Sequence, residues 1–274
     1  MVCDHQAAVP INPVISSRSF RTGGDVNPIS ILDGHSPLFV TSGRIALAIA
    51  LSELDINERD CVLLPAYRCT SMVAPVTWTG ARPVFYKINE DLSPDYEDLE
   101  KILSERKVRC LLATHYFGFP QNMNKLVEFC KRHDLTLIED CAHVLFGSFE
   151  GTQLGTFGEF AICSPWKYLP IYDGGALLVP NRDGFRRKLK SGGIHFELKA
   201  AINILEQGLR YDRFGLFNRL LRVTFLFKDS IWKGIKKLTS SSGESVSPSS
   251  TSGGREFEPE WLDIRMSHIS RWIA

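Results

Sequence analysis

The sequence predicts an α/β protein of three layers (αβα), in which a mostly parallel sheet lies between two layers of helices. From about residue 41 to residue 187, short apolar runs of strand length alternate with amphipathic segments of helical period. This alternation is typical of consecutive βαβ units. The apolar runs are continuous, as in strands that are buried on both faces. Ligands of such sheets bind beyond the carboxyl ends of the strands, so polar residues at those ends are candidates for function.

The predicted elements follow one another in a regular order. A buried helix over 45–51 is opened by Thr41-Ser42-Gly43. Predicted strands cover 61–64, 83–86, 110–114, 135–138, 160–163 and 176–179. Helices are predicted between them over 95–103 and 123–133. Because the strand that begins with 135–138 ends at Glu139-Asp140, the Asp140 carboxylate is expected at the carboxyl edge of the sheet.

Composition excludes several classes of protein. Of 274 residues, 44% are hydrophobic and 23% are charged, which is typical of a soluble globular protein. The net charge of +1 argues against nucleic-acid binding, which needs a basic excess. The seven cysteines form no CxxC pair and are interpreted as reduced thiols. No secretory signal, membrane span or metal-ligand spacing is recognised, so we expect a cytoplasmic protein without a metal.

Changes in composition suggest domain boundaries. Residues 1–38 are expected to form an irregular N-terminal arm, 39–194 the large domain and 195–238 a basic helical insertion. Residues 239–254 contain 14 Ser, Thr, Gly or Pro in 16 positions, which predicts a flexible linker. Residues 255–274 regain the composition of an ordered segment.

Three residues near predicted strand ends have the chemistry of a pyridoxal 5′-phosphate (PLP) site. Lys167 follows the strand over 160–163 between aromatic residues, where desolvation would free its amine to attack a carbonyl. Asp140 could hold a proton on a pyridine nitrogen, and His143 could bond the cofactor's phenolic oxygen or stack on its ring. The ordinary alternatives are a surface lysine, a helix-capping aspartate and a structural histidine.

The opening of the first helix is a candidate phosphate site. A helix N-terminus presents free N–H groups and partial positive charge. Gly43 permits close approach of the backbone, and Arg44 could add a charged contact. Ser42 could equally cap the helix without any ligand.

Taken in order, these pieces resemble the DegT/StrS family of PLP-dependent sugar aminotransferases. The resemblance covers about residues 35–190. Each of its motifs is short and has little specificity alone, but their order along the chain is specific. These are Ser42-Gly43, Leu64-Pro65-Ala66-Tyr67, 80–85, His115-Tyr116-Phe117-Gly118, 138–143, Gly155-Thr156-Phe157-Gly158, Lys167 and Asp173-Gly174-Gly175. Arg265-Met266-Ser267 resembles a later family segment, in which Asp263 stands where the family has asparagine.

The resemblance implies a fold, a reaction and a set of contacts. The fold is the PLP-transferase large domain of the aspartate-aminotransferase type. The resemblance, and not composition, implies that residues 255–274 begin a helical segment leading to a C-terminal domain. Lys167 would carry the cofactor as a Schiff base and shuttle protons, Asp140 would pair with the pyridine nitrogen, and His143 would lie beside the ring. Ser42, Gly43, Arg44 and Ser164 are assigned to the phosphate. Either Tyr67 or Cys69 occupies the place of the ring-stacking residue.

The resemblance also implies partners. The expected reaction is amination of a keto group on a nucleotide-linked sugar by an amino-acid donor, in a homodimer with the cofactor near the subunit interface. Dehydratase relatives carry histidine in place of the lysine, so Lys167 disfavours that branch. The alternative is a PLP-binding or catalytically inactive regulatory protein of the same fold.

A basic and apolar segment over 219–238 suggests two further alternatives. Six Lys or Arg residues interleave there with apolar residues, and Asp229 is the one acidic residue. Such a helix could lie on an anionic membrane surface. We favour docking of its apolar face on the protein itself, because the apolar residues suffice for an ordinary buried stripe.

Overall fold

A computed structural model describes residues 9–20, 29–33, 37–180, 185–215, 218 and 257–274. Its core is one seven-stranded sheet in the order β1-β9-β8-β5-β4-β2-β3. The strands are β1 (Leu38–Val40), β2 (Cys61–Pro65), β3 (Arg82–Tyr86), β4 (Cys110–Thr114), β5 (Thr136–Cys141), β8 (Phe160–Cys163) and β9 (Gly175–Leu178). A separate hairpin joins β6 (Ser148–Phe149) to β7 (Thr152–Gln153).

The sheet is mostly parallel, as predicted. Five strands run parallel to one another: β3, β2, β4, β5 and β8. Strand β9 is antiparallel to both of its neighbours, β8 and β1. The carboxyl ends of five parallel strands therefore lie at one edge. This edge is where ligands bind in open α/β sheets.

Helices cover both faces of the sheet and complete the three-layer αβα architecture. They are α1 (Gly43–Glu53), α2 (Val73–Trp78), α3 (Tyr96–Glu105), α4 (Met123–Arg132), α5 (Gly193–Arg210) and α6 (His268–Ile273). Alternate residues of each strand enter two separate apolar clusters: Leu63 and Leu111 pack with α3 and α4, whereas Val62 and Leu112 pack with α1 and α2. This alternation follows from the two-residue period of a strand.

Helix α1 is buried on nearly every side, which explains its apolar sequence. Its residues from Ile45 to Leu51 are all buried, and it packs against β8 and β9. Close packing at its start requires a glycine on β9, because a Cβ on Gly175 would lie 2.0 Å from the backbone carbon of Ser42. No side chain is tolerated at that distance, so Gly175 sets how closely β9 approaches the start of α1.

The structure extends several predicted elements. Strand β5 contains Glu139 and Asp140, which pair with both β4 and β8, and it ends at Cys141, one residue beyond the predicted end at Asp140. Helix α3 begins after the capping residue Asp95, whose side chain accepts the N–H groups of Glu97 and Asp98. Helix α3 ends at Glu105, two residues beyond the predicted end at Leu103. The last residues of a strand or helix add little to its periodic pattern, so the pattern alone placed both ends too early.

The sequence prediction missed three elements of the described residues: the three-residue strand β1, helix α2 and the β6–β7 hairpin. Helix α2 is six residues long and contains Pro75, and the β6–β7 hairpin has two residues in each strand. Segments this short have too few turns to show a period. No helix within the described ranges is long and apolar enough to cross a membrane. The segments 219–238 and 239–254 lie outside the described residues.

Candidate active site

A cavity of about 380 Å³ opens at the carboxyl edge of the sheet. Each predicted site residue lines it: Ser42, Gly43, Arg44, Tyr67, Cys69, Asp140, His143, Ser164 and Lys167. These residues are spread over more than 120 positions of the chain, and the strand ends bring them together. The volume lies within the range of small-molecule sites, roughly 300–1,000 Å³.

Asp140 places a buried carboxylate in the cavity. Its side chain is only 1% exposed and lies near the end of β5. Oδ2 accepts a hydrogen bond from the Thr114 hydroxyl at 3.3 Å, and Oδ1 accepts the Ala142 N–H at 2.9 Å. Each carboxylate oxygen can accept more than one hydrogen bond, so capacity remains for a donor on a bound ligand.

His143 is held as a neutral hydrogen-bond donor. Burial, and then the positive charge of Lys167, lower the pKa of His143 below its ordinary value, against the opposing influence of Asp140. Nδ1 accepts the Phe117 N–H at 3.4 Å, which leaves the proton of the neutral ring on Nε2. The ring also lies nearly parallel to the Phe117 ring, with centroids 6.0 Å apart.

Lys167 ends a short 3-10 turn over Pro165–Lys167 directly after β8. Its backbone N–H donates to the Ser164 carbonyl at 3.1 Å, which fixes the turn. The side chain is half-buried and lines the same cavity as Asp140 and His143.

The N-terminus of α1 forms another wall of the cavity. Ser42 is the capping residue, and its Oγ accepts the Ile45 N–H at 3.3 Å, so the capping role weighed for it is real. Gly43 packs against Ser164, where an added Cβ would lie 2.3 Å from Ser164 Oγ. The glycine thus lets a second hydroxyl approach the helix N-terminus, where positive dipole and free N–H groups favour an anion. Arg44 lines the cavity beside them.

Comparison with known proteins decides the family. The model of the DegT/DnrJ/EryC1/StrS aminotransferase family matches residues 34–195, which is more than half of the chain. The chain belongs to this family. The match ends close to the boundary at residue 194 that composition suggested.

Relatives and solved structures agree with this family. A GDP-perosamine synthase of Vibrio cholerae is 33% identical over 146 residues, covering 53% of this chain and 40% of the relative. A dTDP-4-dehydro-2,3,6-trideoxy-D-glucose 4-aminotransferase of Saccharopolyspora spinosa is 33% identical over 147 residues, covering 53% and 38%. The chain thus spans less than half the length of these relatives. A family aminotransferase structure from Brucella abortus shares the fold, with TM-score 0.51 and 23% identity over 54% of this chain and 42% of that one.

Glu139 is a buried acidic residue, and the sequence did not reveal its role. Oε1 accepts the N–H groups of Phe157 and Gly158 at 2.7 and 2.8 Å, and Oε2 accepts that of Gly155 at 2.9 Å. His115 Nε2 lies 3.2 Å from Oε2. The only sequence signal was the glycine pair of Gly155-Thr156-Phe157-Gly158, whose turn this carboxylate holds.

Glu139 also belongs to a group of potential metal ligands with His115 and Cys141, whose ligand atoms lie within 4.8 Å of one another. His115 Nδ1 accepts the Gln121 N–H at 3.2 Å, so the neutral ring donates from Nε2 to Glu139. Burial raises the pKa of the Cys141 thiol well above its ordinary value and disfavours the thiolate that binds metals. Hydrogen bonds thus satisfy this cluster without a metal.

Tyr116 is a further cavity residue that the sequence analysis quoted in a motif but gave no role. Its hydroxyl donates to the Tyr67 carbonyl at 2.6 Å, and the two rings lie 5.3 Å apart. Burial, followed by the charge of Asp140, raises the pKa of Tyr116 and keeps the hydroxyl protonated. Cys69 contacts Ser71, with Sγ and Oγ 2.6 Å apart. Both predicted alternatives for the stacking residue, Tyr67 and Cys69, line the cavity.

The C-terminal segment supplies two lining residues that sequence reasoning missed, Glu258 and Trp261. This segment runs beside β1, where Met266 N–H donates to the Phe39 carbonyl at 3.3 Å. Asp263, which stands at the family's asparagine position, is absent from the cavity lining. Its carboxylate instead accepts a hydrogen bond from Arg187 at 3.1 Å. The Asp263 carboxylate is therefore paired with a guanidinium outside the cavity lining.

The segment is anchored by Asp173, next to Gly174 before β9. The Asp173 carboxylate accepts hydrogen bonds from the Ser267 N–H at 2.8 Å and the Ser267 hydroxyl at 2.6 Å. The Ser270 hydroxyl donates to the same carboxylate at 2.7 Å. Burial nevertheless raises the pKa of Asp173, because desolvation outweighs these bonds. The resemblance of Arg265-Met266-Ser267 to the family therefore has a structural basis in this docking contact.

Proposed function

We propose that this chain forms the cofactor-binding part of a PLP-dependent aminotransferase that acts on a keto group of a nucleotide-linked sugar, with an amino acid as amine donor. One observation carries the proposal: a lysine, a buried carboxylate, a neutral histidine and a helix N-terminus line the same cavity. The names of relatives, GDP-perosamine synthase and dTDP-4-dehydro-2,3,6-trideoxy-D-glucose 4-aminotransferase, support a nucleotide-linked sugar as acceptor.

The residues of the cavity fit PLP. The buried acceptor capacity of Asp140 suits a protonated pyridine nitrogen, and the close contact of Gly43 with Ser164 brings a second hydroxyl to the start of α1. Ser42, Gly43, Arg44 and Ser164 would hold the phosphate, and Tyr67 or Cys69 would lie against the ring. The cofactor, when bound, supplies an electron sink for transfer of the amino group.

The protein's own residues would then bind and move protons. Lys167 Nζ is the amine that attaches to a carbonyl and, once released, takes up and returns a proton as general base and acid. Asp140 would hold a proton on the ligand's ring nitrogen by its negative charge. His143 would donate from Nε2 to an oxygen of the ligand, because Nδ1 is occupied by Phe117.

Titration of the 274-residue chain with PLP tests the proposal. Binding is expected to produce a Schiff-base absorption band that borohydride reduction removes, with the cofactor attached to the peptide that contains Lys167. A panel of L-amino acids should then convert the bound cofactor to its amine form. Failure to bind PLP would refute the proposal, and binding without conversion by any donor would favour the alternative of an inactive or regulatory PLP-binding protein.

We further propose a cytoplasmic homodimer with the domain boundaries suggested by composition. The support is the family and, for the dimer, the exposed aromatic side chains of Phe117, Phe119 and Phe146 near the cavity. Large apolar residues that cluster at a surface often mark an interface. Sedimentation velocity should show a dimer, and a concentration-independent monomer that still holds PLP would contradict it.

A further inference from the structure

Trp261 brings a buried hydrogen-bond donor to the wall of the cavity. Its side chain is 6% exposed and packs against Phe196, with ring centroids 5.4 Å apart. It shares an apolar cluster with residues of α1. The indole Nε1 is buried and has no hydrogen-bond partner among the described residues. An indole N–H can only donate, so this atom lacks an acceptor.

Thr41, which lines the same cavity, presents a second donor that is unpaired within the described ranges. Thr41 immediately precedes the capping residue Ser42, and its backbone carbonyl accepts the Gly174 N–H at 2.9 Å. Its side-chain hydroxyl is buried and also finds no partner within the described part of the chain. Nearly all buried polar atoms in proteins are hydrogen-bonded, so two such atoms in the lining of one cavity indicate a ligand that accepts.

The charges around these donors favour an anion. Arg44, Arg68 and Lys167 outnumber the acidic lining residues Asp140 and Glu258, and α1 adds the positive end of its dipole. The carboxylate of Asp263, in the same C-terminal segment, is bound by Arg187. A phosphate monoester offers several strong acceptor oxygens to such a set of donors.

We propose that the Trp261 indole N–H and the Thr41 hydroxyl donate hydrogen bonds to the phosphate bound at the N-terminus of α1. The inference rests on the proposed function, because it assigns further contacts to the same cofactor. It makes the C-terminal segment part of the phosphate site through Trp261, although the asparagine of the family is replaced by Asp263. Docking of this segment through Asp173 would then complete the site.

The test compares PLP with pyridoxal, which has the same aldehyde and ring but lacks the phosphate. Dissociation constants are measured by equilibrium dialysis for the wild-type chain, Trp261→Phe, Thr41→Val and the control Trp272→Phe, whose side chain is exposed. Loss of one hydrogen bond to a charged group should weaken PLP binding about tenfold. Pyridoxal binding should change less than about twofold, because it lacks the phosphate acceptor. Trp272→Phe should leave both unchanged.

Any other result contradicts either this inference alone or both the inference and the proposed function. Equal weakening of PLP and pyridoxal in both variants would mean that Trp261 and Thr41 act through packing, and no weakening would mean that they do not touch the phosphate. Either outcome refutes this inference while the proposed function stands. Absence of PLP binding by the wild-type chain would refute both. If Trp261→Phe does not fold, as judged by circular dichroism, Thr41→Val decides the question, because it is nearly isosteric.

Discussion

Glu139 and Asp140 are neighbours on β5 whose carboxylates serve opposite faces of the sheet. Glu139 accepts the backbone N–H groups of the turn over 155–158, whereas Asp140 accepts the Thr114 hydroxyl and lines the cavity. Successive side chains of a strand point to opposite faces. One of the two adjacent carboxylates therefore holds a backbone turn and the other faces the cavity, so substitutions at the two positions should have different effects.

Asp140→Asn is expected to preserve the fold and PLP binding while transamination falls by roughly 100-fold or more, the scale of losing one preorganised electrostatic contact. The neutral amide cannot hold a proton on the ring nitrogen by charge, although it keeps the shape of the side chain. Single-turnover conversion with an amino acid donor measures the effect. Near-normal turnover would remove Asp140 from the proposed chemistry.

Glu139→Gln should instead destabilise the protein. The glutamine side chain keeps one acceptor oxygen and replaces the other by an NH2 group. At least one of the N–H groups of Gly155, Phe157 and Gly158 then faces this NH2 donor in place of an acceptor. The free energy of unfolding is expected to fall by about 2–4 kcal/mol. Urea unfolding followed by circular dichroism checks this value. Glu105→Gln, at an exposed position of α3, is the control. A variant as stable as the wild type would contradict the structural role.

Lys167→Ala should abolish the borohydride-sensitive absorption band and leave the far-ultraviolet spectrum unchanged, because the lysine is half-buried at a turn and carries no core packing. Lys190→Ala, outside the cavity, is the matched control. A reducible band that persists in Lys167→Ala would mean that another lysine attaches the cofactor.

His143 should titrate below the ordinary pKa of 6.5, as followed by the imidazole carbon–proton signals in NMR. Because the folded pKa lies below the unfolded one, this group's contribution to stability is complete above about pH 6.5 and is lost as the pH falls through the folded pKa. His143→Gln should remove that part of the acid dependence. Lys167→Met should raise the pKa of His143, because it removes a positive charge. A wild-type pKa at or above 6.5 would contradict the burial of the ring.

Asp173 and Ser267 should show strong energetic coupling in a double-mutant cycle. Asp173→Ala leaves the Ser267 N–H and hydroxyl without their acceptor, and Ser267→Ala removes one of the same hydrogen bonds. Contacting residues of one hydrogen-bond network couple by about 0.5–3 kcal/mol. Urea unfolding of the two single variants and the double variant gives this energy. Additive effects would show that the C-terminal segment does not depend on this contact.

The sequence by itself determined the fold class, and it selected candidate site residues that the structure places in one cavity. Continuous apolar runs are typical of strands that are buried on both faces. Strands β2, β4 and β8 could therefore be predicted from their own residues. Asp140, His143 and Lys167 were recognisable because their residue types suit one cofactor and because each follows a predicted strand. The ordered motifs then indicated the family, which the match over residues 34–195 confirmed.

Only the tertiary structure decided which residues meet. The role of Glu139 depends on a turn 16 to 19 residues away in the chain, and that of Asp173 on serines 94 and 97 residues away. Trp261 reaches the cavity because its segment docks beside β1, more than 200 residues earlier in the chain. Local period carries no information about such distant pairs, because their contacts arise from packing of the whole sheet.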